Sequence, residues 1–154
     1  MSWVRRGRGD HCRARGAWFG FPAACSTRTL GGEPPAMYVG SCHCGAVTVE
    51  VANLPQAVIS CNCSVCRRTA GLWARFPRLA VRIAGHPENT IEYVWGDKTL
   101  RNLRCKVCGC NTHWEPLDST QDYVGINMRN FEPAVLSSLP IRKFDGADTW
   151  TFID

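Results

Sequence analysis

Eight cysteines gathered into three short stretches constrain this chain more than any other feature: Cys42-His-Cys44, Cys61-Asn-Cys63-Ser-Val-Cys66, and Cys105-Lys-Val-Cys108 followed by Gly109 and Cys110. A secreted disulfide framework disperses its cysteines and follows an apolar signal-peptide core, and neither holds here. Clustered thiols are instead what zinc requires, because Zn–S bonds of about 2.3 Å bring the sulfurs within roughly 4 Å of one another. In an extended segment residues i and i+2 point the same way, so Cys42 and Cys44 can offer two thiolates to one ion. Cys105 and Cys108 have the spacing of a zinc knuckle, with Gly109 placed where the turn calls for positive φ. The two halves together predict one closed, four-thiolate site.

Cys61, Cys63 and Cys66 form a second cluster, three thiolates within six residues at the expected end of a strand and start of a short helix. Three ligands leave a fourth position open, which separates a catalytic zinc from a structural one. Cys110 or His43 is the residue able to close that position as a fourth ligand, unless Cys110 packs as a small buried side chain. His43 and His113 sit beside cysteines that already satisfy four-coordination, so a packed or hydrogen-bonded role is expected of both. Arg67 and Arg68 follow Cys66 directly and either form a solvated helix face or pair with the carboxylates of a ligand. Trp73, Trp95, Trp114 and Trp150 occupy strand-like places and are expected to fill the core, Trp73 lying near enough to the open cluster to line it.

The chain of 154 residues is sized for one domain, and its 45% hydrophobic and 20% charged residues are those of a soluble globular protein. No apolar run is long enough for a membrane span, and the cytoplasm is the expected compartment. The formal charge of +5 is uneven: residues 1–36 hold six arginines against Asp10 and Glu33, whereas residues 37–154 carry 12 basic and 11 acidic groups. A nearly neutral body gives no basic face for nucleic acid. Residues 1–36 also lack any sustained period, so the segment is expected to lie outside the fold, either as an over-long translation start before Met37 or as a targeting peptide.

From Val39 onward, β-branched and aromatic stretches alternate with turn signals, predicting a mainly β domain. Strands are expected at 46–51, 57–60, 72–76, 79–83, 90–95, 99–104, 123–128 and 141–144, with Val47, Val49 and Val51 on one face. One short helix is expected around Ser64–Ala70.

Gly40-Ser-Cys-His-Cys-Gly-Ala-Val47, the block from Cys61 to Gly71, Arg104-Cys-Lys-Val-Cys-Gly109, and the tail Ile126–Phe131 with Leu139–Gly146 and Trp150 together resemble the glutathione-dependent formaldehyde-activating enzymes and their centromere protein V relatives. The resemblance covers residues 37–154. It implies a β-tent zinc fold of packed antiparallel sheets, a structural zinc at Cys42, Cys44, Cys105 and Cys108, and a second zinc at Cys61, Cys63 and Cys66 that accepts a substrate thiol. The implied reaction joins glutathione and formaldehyde, formally a carbon–sulfur lyase run in reverse. The competing reading is a non-catalytic zinc module that binds a protein or nucleic acid, which a closed second site would favour.

Overall fold

The structure, a computed structural model, describes residues 37–154, so the expectations for residues 1–36 fall outside the described residues. Eleven strands appear among them: β1 (Tyr38–Ser41), β2 (Thr48–Val51), β3 (Val58–Cys61), β4 (Trp73–Pro77), β5 (Val81–Ala84), β6 (Thr90–Val94), β7 (Leu100–Cys105), β8 (Asn111–Pro116), β9 (Tyr123–Asn127), β10 (Ile141–Asp145) and β11 (Thr151–Phe152). Two short helices, α1 (Cys66–Thr69) and α2 (Pro133–Ser137), accompany them. The strands form a three-stranded sheet in the order β1-β2-β5 and an eight-stranded sheet in the order β11-β10-β3-β4-β9-β8-β7-β6. Pairing is antiparallel throughout, except where β10 returns parallel to β3 with Phe144 opposite Cys61.

Strand alternation builds the core. Val47, Val49 and Val51 are each about 1% exposed, while Thr48 and Glu50 between them are half-buried. Val49 and Val51 pack with Val58, Ala74, Phe76, Val124 and Ile126 from the larger sheet, together with Leu72 and Met128. Each such side chain removed from water stabilises the fold by about 1.5–3 kcal/mol. A separate, smaller cluster of Cys42, Val47 and Cys105 sits where the β1–β2 turn meets the end of β7.

Most strands lie where the sequence pattern places them, with specific differences. Strand β8 shows no signal in that pattern because the residues it buries are Thr112, His113 and Glu115, which have no apolar alternation. The short strands β1 and β11 and the helix α2, which starts on Pro133, were also not anticipated. The stretch expected as a strand from Leu79 opens as a turn of 3-10 helix, Arg78–Ala80, with Leu79 92% exposed. Trp95 and Trp150 are corrections to the expected core: they are 62% and 68% exposed, one just past an edge strand and the other in the β10–β11 turn. Among the described residues no helix is long and apolar enough to cross a membrane.

Candidate metal centres

The first cysteine cluster is assembled by two turns that belong to different sheets. In the β1–β2 turn, Gly45 N–H donates to the Cys42 carbonyl at 3.0 Å; in the β7–β8 turn, Gly109 N–H donates to the Cys105 carbonyl at 2.9 Å. Both glycines have positive φ, +79° and +75°, the backbone region a side chain disfavours. The sulfurs of Cys42, Cys44, Cys105 and Cys108 all lie within 4.8 Å of one another, with Cys42–Cys44 and Cys44–Cys105 at 3.6 Å. A tetrahedron with Zn–S bonds of about 2.3 Å has edges of about 3.8 Å, so the four sulfurs fit a single ion.

Electrostatics in the cluster point the same way. The Cys110 backbone N–H, with that of Cys44, lowers the Cys108 thiol to about 5. The Ala46 N–H favours the Cys44 thiolate, yet burial and the neighbouring thiols of Cys105, Cys108 and Cys42 outweigh it and push that group up to about 12. Four thiolates this close repel one another, and a bound cation is what would let all of them ionise. Val47 N–H adds a donor to Cys42 Sγ at 3.3 Å.

The second cluster sits where β3 ends and α1 begins. Cys63 N–H donates to Cys61 Sγ at 3.4 Å and Cys66 N–H to Cys63 Sγ at 3.5 Å, and the three sulfurs lie within 4.8 Å of one another. Burial raises Cys63, but the Cys66 N–H and the Cys66 and Cys61 thiols outweigh it and the group is lowered; Cys66 is raised by burial and by the charges of Cys61 and Cys63. Trp73 is buried as expected, and its indole N–H, which reaches no hydrogen-bond partner at full contact distance, faces the Cys66 thiol and offsets a small part of that rise. The β10–β11 turn closes over this cluster: a side chain at Gly146 would start 2.6 Å from Cys61 Sγ. Asp145 holds the turn in place, accepting from Asn62 Nδ2 at 2.7 Å and from Thr149. These bonds, that of Asn62 first, hold its carboxyl down at about 2.

A pocket of about 430 Å³ opens beside Cys61 and Cys66, with Arg67, Arg129, Lys143 and Phe144 among its walls. Three cations therefore border the three-cysteine cluster. Arg67 was anticipated from sequence. Arg68 is not there: its guanidinium donates to the Ser64 carbonyl at 2.8 Å, and it lines a different pocket with Tyr93 and Trp95, because adjacent residues on α1 point to different sides. Arg129 and Lys143 were missed, and they arrive by tertiary routes: Arg129 follows β9 and bonds the Ala70 carbonyl, and Lys143 lies on the parallel strand β10.

Cys110 resolves an open alternative. It packs against the first cluster, beside Cys42, Val47 and Cys105, where the His43 N–H acts on its thiol, so it is not poised to close the second. His43 is exposed rather than packed. All eight described cysteines are free thiols.

A third constellation contains no sulfur. His86, His113 and Glu115 bring ligand-type atoms within 4.8 Å of one another. Burial holds His113 down at about 4 and lowers His86 as well.

The family model described as "Glutathione-dependent formaldehyde-activating enzyme" matches residues 37–140. The crystal structure of a Rhodobacter sphaeroides protein is similar to this chain at 30% sequence identity and a TM-score of 0.55, over 67% of this chain and 98% of that one.

Proposed function

The chain belongs to the glutathione-dependent formaldehyde-activating enzyme family, and from that premise we propose that its three-cysteine centre joins a small thiol of the glutathione class to formaldehyde or a related aldehyde. In this reading Cys42, Cys44, Cys105 and Cys108 hold a structural zinc, and Cys61, Cys63 and Cys66 hold a second with one position free. The observation that carries it is the pocket beside Cys61 and Cys66, ringed by Arg67, Arg129 and Lys143. Glutathione carries two carboxylates at opposite ends of a thiol-bearing peptide, and guanidinium and ammonium groups recognise carboxylates through charge-assisted hydrogen bonds.

Bound at the three cysteines, zinc would supply the positive charge that lowers the pKa of an incoming thiol, so that thiolate is present near neutral pH. The chain's own groups do the rest. Arg67, Arg129 and Lys143 anchor the carboxylates and so orient the thiol toward the cysteines. Phe144 and the buried Trp73 give the site apolar surroundings on one side. The substrate sulfur forms a bond to the carbonyl carbon, the π pair of the C=O bond moves onto oxygen, and the thiol's proton ends on that oxygen, giving a hydroxymethyl thioether. The reverse sequence releases thiol and aldehyde. No carboxylate or imidazole is among the described residues lining the pocket, which leaves solvent and the Lys143 ammonium to exchange the proton.

The test is exchange NMR of glutathione with formaldehyde on zinc-loaded protein. The rate above the uncatalysed reaction should be abolished in Cys63→Ser, and Arg129→Ala should raise KM with a smaller change in kcat. A wild-type rate no faster than buffer, with glutathione failing to bind, would transfer the domain to the binding-module reading.

A further inference from the structure

We propose that His86, His113 and Glu115 form a third metal site, for a divalent transition ion of the zinc class, separate from both sulfur clusters. His113 and Glu115 are two residues apart on β8 and so project to the same face, while His86 arrives on the link between β5 and β6. The imidazole rings meet edge to face at 4.9 Å. His113 is fully buried, and its Nε2 has no hydrogen-bond partner.

The hydrogen bonds fix which nitrogens carry protons. Thr112 Oγ1 donates to the Leu103 carbonyl at 3.1 Å, so at 2.9 Å from His113 Nδ1 it must accept, and Nδ1 carries the hydrogen. Thr90 Oγ1 likewise donates to the Pro87 carbonyl at 3.2 Å and accepts from His86 Nδ1 at 2.7 Å. Both Nε2 atoms are therefore left with bare lone pairs, and both face Glu115 Oε1 at 3.7 Å. Three electron-pair donors converge with no hydrogen among them, at a spacing too long for hydrogen bonds. A cation is what such a set lacks.

The spacing suits one. Donors bonded to zinc at about 2.0–2.2 Å in tetrahedral array lie about 3.3–3.6 Å apart, so the two Nε2–Oε1 distances of 3.7 Å need a shift of a few tenths of an ångström, and all three ligand atoms already lie within 4.8 Å of one another. Threonine hydroxyls accept from Nδ1 of both rings and so fill the place that a carboxylate, carbonyl or water takes behind metal-bound histidines. The other carboxylate oxygen, Oε2, is occupied by Arg101 Nε and a terminal nitrogen at 3.0 and 2.7 Å, which leaves Oε1 free to ligate. Two imidazoles and a carboxylate favour zinc and its late transition-metal neighbours over magnesium or calcium. On the solvent side, His86, Thr90, Glu92 and Arg101 border a pocket of about 400 Å³ from which water can supply a fourth ligand. Arg101 and Arg78, whose Nε is 4.0 Å from Oε1, oppose a dication, and Glu92 offsets only one of them. The site is therefore weaker than the thiolate centres and is the first that a chelator empties.

Equilibrium dialysis of the zinc-loaded full chain against added Zn²⁺, with the chelator-resistant content measured beforehand, separates this site from the sulfur centres. One further ion should bind, its binding should be lost in His86→Ala, and Thr90→Val should weaken it about 10–100-fold. Nitrogen-15 NMR should show the Nε2 resonances of both histidines moving on zinc addition in a protein that stays folded. Failure to bind a further ion, unchanged binding in His86→Ala, or imidazolium signals from either ring at neutral pH before metal is added would each overturn the proposal.

Discussion

Gly146 carries the tightest constraint on the three-cysteine centre, because the turn that bears it runs against Cys61 and leaves no room for a methyl group. Gly146→Ala should lower stability by about 1–3 kcal/mol through overpacking, measured by denaturant titration, and should reduce the metal retained at the second centre while the first keeps its own. Asp145 gives the same turn a pH dependence. Its carboxyl is depressed to about 2 in the folded chain, below the ordinary carboxylate value near 3.9, so its contribution is complete above about pH 4 and is lost as pH falls toward 2. Asp145→Asn should accordingly melt lower than wild type at neutral pH, and the gap should narrow steadily in acid melts between those limits. At this scale the sequence told most about the cysteines, since their clustering is local and survives without the fold. It told least about Arg129 and Lys143, which lie far along the chain from Cys61 and reach the pocket only because β9 and β10 flank β3 and β4.

Strands and turns give the two sulfur centres different structural weight. The first draws Cys42 and Cys44 from the three-stranded sheet and Cys105 and Cys108 from the eight-stranded one, closing a loop of 61 residues between Cys44 and Cys105. The second draws on one turn at the end of β3, so its three cysteines constrain little chain entropy. Cys105→Ser should therefore abolish cooperative thermal unfolding, whereas Cys63→Ser should melt cooperatively, retain the first ion and lose thiol binding. Equal unfolding in both variants would give the second centre a structural role instead. The longest of the unexpected strands, β8, shows where periodicity runs out: a central strand whose buried positions are Thr112, His113 and Glu115 is stabilised by hydrogen bonds and ion pairing, and hydrophobic alternation is blind to it. The parallel return of β10 is equally illegible, because pairing partners as distant along the chain as Val58 and Ile141 leave no local signature.

For the whole molecule, the family match begins at residue 37, the position at which the arginine-rich composition gives way to strand patterning. Deleting residues 1–36 should leave the melting temperature and metal content of the remaining domain unchanged, and aggregation or metal loss on truncation would move the domain boundary. The two sulfur centres differ in kind, one gathering four cysteines and one gathering three. Zinc-edge X-ray absorption on the truncated or full chain, before and after glutathione, reads that difference directly. With one ion in each centre and the third site emptied by chelator, four and three sulfurs average to three and a half per zinc, and the count should rise toward four when glutathione supplies the missing ligand. Four sulfurs per zinc before any thiol is added, or a count that glutathione does not change, would contradict an open thiol-accepting centre.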